Sequence, residues 1–299
     1  FMDVIMSSFE SLQILLGEKF NNLVKLLKLE ESLDRDFDAS NCIGVCENRQ
    51  ASELLSMAQA NSLYNVVQTD NQVYEREVKV AGLMKQNPQL FFTNPVSSVF
   101  SPENPSLDQD QVFEKVRFKF NRSDQKAEAL ERIESELRKW TKSESTINDA
   151  RLVADELFTN AVFNAPFVDA DNSSSGASRN LALVEMEEGH QGELFLGTDG
   201  QYFVIGCSDP YGKLNVKKLI ERVQGCYLKG LAESMNMGEG GAGIGCFMCF
   251  QASTSYFAAV TPGNETLVLC MMPLKMSQRK KEQQPKNFHF MEFKNKDQK

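Results

Sequence analysis

Glu156 and Asn160 stand four residues apart in Asp155-Glu-Leu-Phe-Thr-Asn-Ala-Val162, a spacing that stacks a carboxylate and an amide on one face of a helix. That helix is predicted by Ile147, Ala150, Val153, Ala154, Leu157, Phe158 and Ala161, which recur at helical spacing and commit the adjoining face to a core. On such a face Glu156 can orient a water or hydroxyl, and Asn160 can offer its carbonyl oxygen to a hard cation. A Mg-nucleotide site needs this pair, although a Glu and an Asn one turn apart also occur on solvated helices.

Two further segments follow in order. The alternating run Gln201-Tyr-Phe-Val-Ile-Gly-Cys207 leads into Ser208-Asp-Pro-Tyr-Gly-Lys213, a strand ending in an acid and a turn. Some thirty residues on, Gly238-Glu-Gly-Gly-Ala-Gly-Ile-Gly245 runs directly into the apolar Cys246-Phe-Met-Cys-Phe250. Small residues admit close backbone approach, and a buried helix behind them turns its N-terminal amides toward phosphate oxygens. A glycine-rich loop can also be a linker, but this placement favours a phosphate cradle.

Together the three segments resemble the N box and the two glycine boxes of the Bergerat-fold ATPases, the superfamily of gyrase, histidine kinases and mismatch-repair ATPases. Within it, Glu156 to Val162, Gly240 to Gly245 and the amphipathic stretch from Glu131 to Trp140 are most similar to bacterial anti-sigma-factor serine kinases. Gly263-Asn-Glu-Thr266 before Leu-Val-Leu-Cys270 resembles the closing turn and strand, and the likeness covers about residues 112 to 276. The resemblance implies ATP and Mg2+ as cofactors, with Glu156 as catalytic base and Asn160 as metal ligand. It implies that Asp209 accepts the adenine amino group and Gly212 admits the purine. Gly241, Gly243 and Gly245, with Ala242 and Ile244 between them, would lie under the phosphates, and Asn164 and Thr266 would complete the nucleotide site. Pro210 and Tyr211 intervene after the acid where relatives place glycine sooner. Asn164 stands where many relatives carry His.

The activity so implied is phosphate transfer from Mg-ATP to Ser or Thr of a partner, either an antagonist or a sigma-like target; the alternative is a nucleotide-gated protein-binding switch with little catalysis. Dimerisation is implied by the same analogy. Only two histidines occur, His190 in a turn-like stretch and His289 in the tail, and both read as exposed. Neither lies on a hairpin before the ATPase region, which argues against a sensor histidine kinase, and imidazole metal sites and Ser/His/Asp catalysis lose support with it.

A net charge of −9 and a pI near 5.0 argue against a nucleic-acid-coating protein. Seven dispersed cysteines read as reduced thiols in apolar segments, including the pairs Cys42 with Cys46 and Cys246 with Cys249. No run is long and apolar enough to span a membrane and no basic flank precedes an apolar core, so a cytoplasmic protein without membrane partners is expected. Phe1 ahead of Met2 reads as a cloning remnant.

The expected organisation is a small α/β regulatory domain at 2–87, a proline-rich linker at 88–111, the ATPase domain at 112–276 and a basic tail from 277 to 299. The first domain reads as strands at Asp3–Met6, Cys42–Cys46 and Leu63–Val67, with helices at Phe9–Gly17, Arg49–Ala60 and Gln72–Lys85. This alternation predicts a parallel sheet. Its order resembles a response-regulator receiver, although Ser7-Ser8 replace the acidic pair and Thr69-Asp70 stand where a receiver needs Lys; an unrelated small interaction domain is the alternative. The fold class expected is α+β: a two-layer α/β sandwich of the Bergerat type preceded by that smaller domain. An edge strand at Val112–Phe120 opens the ATPase region, strands follow at Leu181–Glu187, Glu193–Leu196 and Gln201–Cys207, and 214–240 form a lid. Lys213, Lys217 and Lys218 could reach a phosphate or line a solvated helix face. The tail reads as solvated, with docking through Phe288, Phe290 and Phe293 as the alternative.

Overall fold

The computed structural model describes residues 25–28, 39–40, 42–106, 108, 112–167, 183–230 and 244–293. The expected elements at 3–6 and 9–17, the loop at 171–176 and the lid beyond 230 lie outside these residues.

The fold is mixed α/β. Nine strands follow in chain order: β1 (Lys25–Lys28), β2 (Cys42–Cys46), β3 (Asn65–Gln68), β4 (Glu114–Phe120), β5 (Gly192–Thr198), β6 (Tyr202–Asp209), β7 (Ser255–Thr261), β8 (Glu265–Pro273) and β9 (Asn287–Glu292). They form one sheet in the order β1-β2-β3-β9-β7-β8-β6-β5-β4. The first three are mutually parallel, β9 is antiparallel to β3 and parallel to β7, and the rest are antiparallel. The parallel sheet expected for the N-terminal region is therefore present, but it continues into the second region through β9.

Alternation along the strands divides the side chains between two faces. Phe203, Ile205, Cys207, Tyr256, Ala258 and Val260 join one core cluster, while Tyr202, Val204, Phe257 and Ala259 join the other. The first face is covered by α1 (Ala51–Asn61), α5 (Lys126–Trp140), α6 (Glu144–Thr159), α7 (Val216–Lys229) and α8 (Ile244–Ala252). The second carries α2 (Tyr74–Gln86), α3 (Pro88–Thr93) and α4 (Pro95–Phe100). Helices thus lie on both sides of the sheet, where a two-layer sandwich would leave one side bare.

Two of the four prolines of the expected linker start helices. Pro88 and Pro95 occupy first-turn positions, where the missing N–H is not needed, and the Asn87 side chain accepts from the Leu90 amide at 3.3 Å. Phe91, Val96 and Val99 are fully buried, so this stretch is core. The tail differs from its solvated reading in the same way. Beyond the short α9 (Gln278–Glu282), β9 buries Phe288, His289 and Phe290 inside the sheet. The expectation of an exposed His289 is corrected: its Nε2 lies 3.3 Å from Glu77 Oε2, its Nδ1 3.3 Å from Asn65 Oδ1, and its ring stacks on Phe257. Glu77, equally buried, also accepts from the Ser255 hydroxyl. Within 181–187, the described residues form only a bridge, Arg122 to Glu185, in place of the expected strand.

Candidate functional site

Helix α6 carries Glu156 and is started by Ser143, whose hydroxyl accepts from the Thr146 amide at 3.3 Å. Its apolar stripe, Ile147, Ala150, Val153, Ala154, Leu157 and Phe158, is buried as the spacing predicts, and Phe158 meets Phe120 of β4 at 4.2 Å between ring centroids. This packing aligns the helix over β5 and β6 and leaves Glu156 and Asn160 half-buried beside the core. Lys126 fixes a neighbouring face by pairing with Asp155 and donating to the Thr159 hydroxyl at 3.0 Å.

At Asn160 the helix changes its winding. Residues Asn160–Asn164 form one π turn, a local widening that recurs at functional sites. The widened turn retains Asn164 near Asn160, and the Asn164 amide donates to Asn160 Oδ1 at 2.6 Å. The atom expected to bind metal therefore already accepts one hydrogen bond, with a second lone pair remaining.

Asp209 ends β6 directly opposite Thr266 of β8. Its carboxylate accepts from the Tyr211 amide at 3.0 Å. Part of its surface remains open, yet crowding by protein pushes the carboxyl up to about 7, while the Tyr211 and Gly212 amides and the nearby Thr266 hydroxyl pull it down. Thr266 Oγ1 is buried and makes no hydrogen bond of good geometry among the described residues. No described cation pairs with Asp209.

Gly212 adopts φ +59°, and a Cβ there would strike the backbone of the 261–264 turn. Its carbonyl accepts from the Gly263 amide at 3.1 Å, which closes the end of the β7–β8 hairpin over the acid turn. The intervening Tyr211 is accommodated by burial: it is 7% exposed, its hydroxyl accepts from the Glu187 amide at 3.3 Å, and its ring meets His190 edge-on. His190 is consequently half-buried.

Gly241, Ala242 and Gly243 lie outside the described residues, whereas Ile244 begins α8 and Gly245 is buried. A Cβ on Gly245 would collide with the Glu156 carboxylate, so the end of the glycine-rich segment touches the proposed base. Behind it, Cys246, Cys249 and Cys270 form no disulfide; burial pushes the Cys246 thiol up to about 11, and a hydrogen bond with Cys270 followed by burial raises that of Cys249, consistent with an apolar packing role. Lys217 and Lys218 lie exposed on α7 and Lys213 is half-buried.

The fold thus brings Asp209, Gly212 and Thr266 together at one end of β6 and β8, and Glu156 against Gly245 where α6 meets α8. Sequence reasoning missed the π turn, for which a helical pattern carries no signal, and the burial of Tyr211, for which aromatic character after the acid was a usable one. Comparison of the chain with protein-family models and with curated proteins returns no match. Among the described residues no helix is long and apolar enough to cross a membrane.

Proposed function

We propose that this chain binds ATP with Mg2+ against α6, α8 and the β6–β8 strand ends. The observation that carries the reading is Asp209: a crowded acid without a described cation partner, held by the Tyr211 and Gly212 amides beside the buried Thr266 hydroxyl. Desolvated acids whose pKa is strongly raised concentrate at binding sites. An adenine amino group would satisfy the ionised carboxylate, and Thr266 offers a further donor or acceptor for the ring. Gly212 and Gly245 are compatible with this, since each occupies space that a side chain would fill. Asn160 would hold the metal, whose positive charge would offset that of the phosphates. Ile244 and Gly245, which open α8, and the residues that precede them in sequence would meet the phosphates with backbone amides.

On this reading Glu156 accepts the proton of a Ser or Thr hydroxyl on a partner protein, placing the chain among regulatory kinases of the anti-sigma type, in the cytoplasm, without nucleic acid or membrane as partner. One observation favours the second reading, a nucleotide-gated switch. Glu156 rests against Gly245, where its charge opposes an arriving phosphate, so binding would require it to move.

Calorimetry with Mg-ATP tests the site: Asn160→Ala and Asp209→Asn should each weaken binding tenfold or more, and parent-like affinity in both would refute the assignment. Glu156→Ala separates the readings. A general base contributes about 10²- to 10⁴-fold in rate and little to ground-state affinity, so a kinase should retain ATP and lose labelled-phosphate transfer to a captured partner. A parent that transfers none to an authentic partner leaves the switch.

A further inference from the structure

The C-terminal segment makes contacts out of proportion to its length. Lys281 of α9 donates to Asp149 Oδ2 on α6 at 2.6 Å, about two turns before Glu156. Five residues later, buried Lys286 donates to the carbonyls of Gln251 at 2.7 Å, in the last turn of α8, and of Ser253 at 2.6 Å, just beyond it. Burial lowers the Lys286 ammonium to about 8, with Asp149 raising it and Lys281 lowering it. No described carboxylate pairs with Lys286, so its charge is held by helix carbonyls and by the negative end of the α8 dipole. One segment therefore grips both helices of the candidate site, one through its outer face and the other through its C-terminus.

The same segment is bonded to the N-terminal region. Gln68, at the end of β3, donates through Nε2 to the Lys286 carbonyl at 3.1 Å, and its amide donates to Asn287 Oδ1 at 2.8 Å. Asn71, three residues on, donates to Pro285 O at 3.3 Å and to the Thr254 hydroxyl at 3.1 Å, just past α8. Gln68 Oε1 in turn accepts from the Arg49 amide in the connection between β2 and α1. These positions are the carboxyl ends of parallel strands, the edge at which α/β sheets most often receive ligands or partners.

We propose that residues 278–292 form a regulatory strap, through which the β2–β3 edge of the N-terminal region controls the geometry of the candidate nucleotide site. The two states are a docked strap, with Lys286 seated under α8 and Lys281 on α6, and a loosened one in which both helices lose those anchors. β9 suits the part because only two of its residues pair with β3 while six pair with β7. A change at the β3 end can therefore act on the strap without unzipping it from β7. The regulatory meaning rests on the nucleotide reading above; the mechanical coupling does not.

Hydrogen exchange of the full chain without nucleotide tests the coupling. Gln68→Ala removes the β3 grip on Lys286, and Lys286→Met removes the donors to α8 while retaining an apolar stem. Val45→Ala is the control, weakening the N-terminal core at a residue with no bond to the strap. Both strap variants should speed exchange at least tenfold in α8 amides, and Gln68→Ala should do so in α6 as well, while Val45→Ala leaves both helices at parent rates. Exchange confined to β2, β3 and β9 in Gln68→Ala, or an equal response of α8 to Val45→Ala, overturns the strap. Should Gln68→Ala not fold, Lys281→Ala supplies the second reading: faster exchange in α6 supports the strap and parent rates there overturn it. Calorimetry with Mg-ATP on the same proteins should show weaker binding for Gln68→Ala than for Val45→Ala. A parent that binds no ATP refutes the nucleotide reading alone, and exchange still decides the coupling.

Discussion

Asp209→Asn should stabilise the protein at neutral and alkaline pH while weakening its proposed ligand. Crowding raises the carboxyl to about 7, against about 4 in an unfolded chain. Between those values the native state retains a proton that the unfolded chain has released. Stability from this group is thus fully present below pH 4 and falls as pH rises through 7. A difference of about three units at about 1.4 kcal/mol each amounts to about 4 kcal/mol by pH 8. An amide is neutral throughout and escapes that loss. Urea unfolding of parent and variant at pH 4, 5, 6, 7 and 8 should show a gap near zero at the acid end. The gap should open toward about 4 kcal/mol at pH 8, less whatever the new amide loses at the Tyr211 hydrogen bond, with m unchanged. A variant no more stable than the parent at pH 8, or a gap independent of pH, would refute the argument that Asp209 is strained by desolvation. The same ionisation predicts that Mg-ATP affinity falls as pH drops below 7 in the parent, by up to about tenfold per unit, because protonation turns one acceptor oxygen into a donor that opposes the adenine amino group.

His289→Ala should cost about 3–5 kcal/mol in urea unfolding, since it leaves buried Glu77 without its imidazole partner; a loss under 1 kcal/mol would show that the pair is not a structural element. Phe91→Ala should cost a similar 3–5 kcal/mol if α3 belongs to the core, as its burial implies, whereas a linker residue would cost almost nothing by the same assay. Gly212→Ala places a Cβ at φ +59° against the 261–264 backbone, and should cost at least about 1–2 kcal/mol together with loss of Mg-ATP binding in calorimetry. Retained stability and affinity would mean that this turn rearranges freely.

What the sequence determined by itself was local. The stripe of α6, the alternation of β6, the parallel character of β2 and β3 and the burial of the cysteines follow from periodicity and composition, which act within a few residues. The juxtaposition of Glu156 with Asn160 was legible for the same reason, because helical pitch alone places them. Tertiary structure decided the remainder. Asn87-Pro88 and Asn94-Pro95 read as breaks when taken alone, yet helices shorter than two turns gain their stability from packing, here against Phe257 and its neighbours on the second face of the sheet. His289 and Lys286 looked like tail residues; the alternation of Phe288, Phe290 and Phe293 offered a docked strand as the alternative, but nothing near them announces that β9 will be inserted between β3 and β7. Strand order is set by which edges find hydrogen-bond partners once the chain collapses, and that competition spans more than two hundred residues between Asn65 and His289. The meeting of Gly245 with Glu156 and of Asp209 with Thr266 has the same origin: motif order predicts the participants, while only the packed sheet and helices bring their atoms into contact.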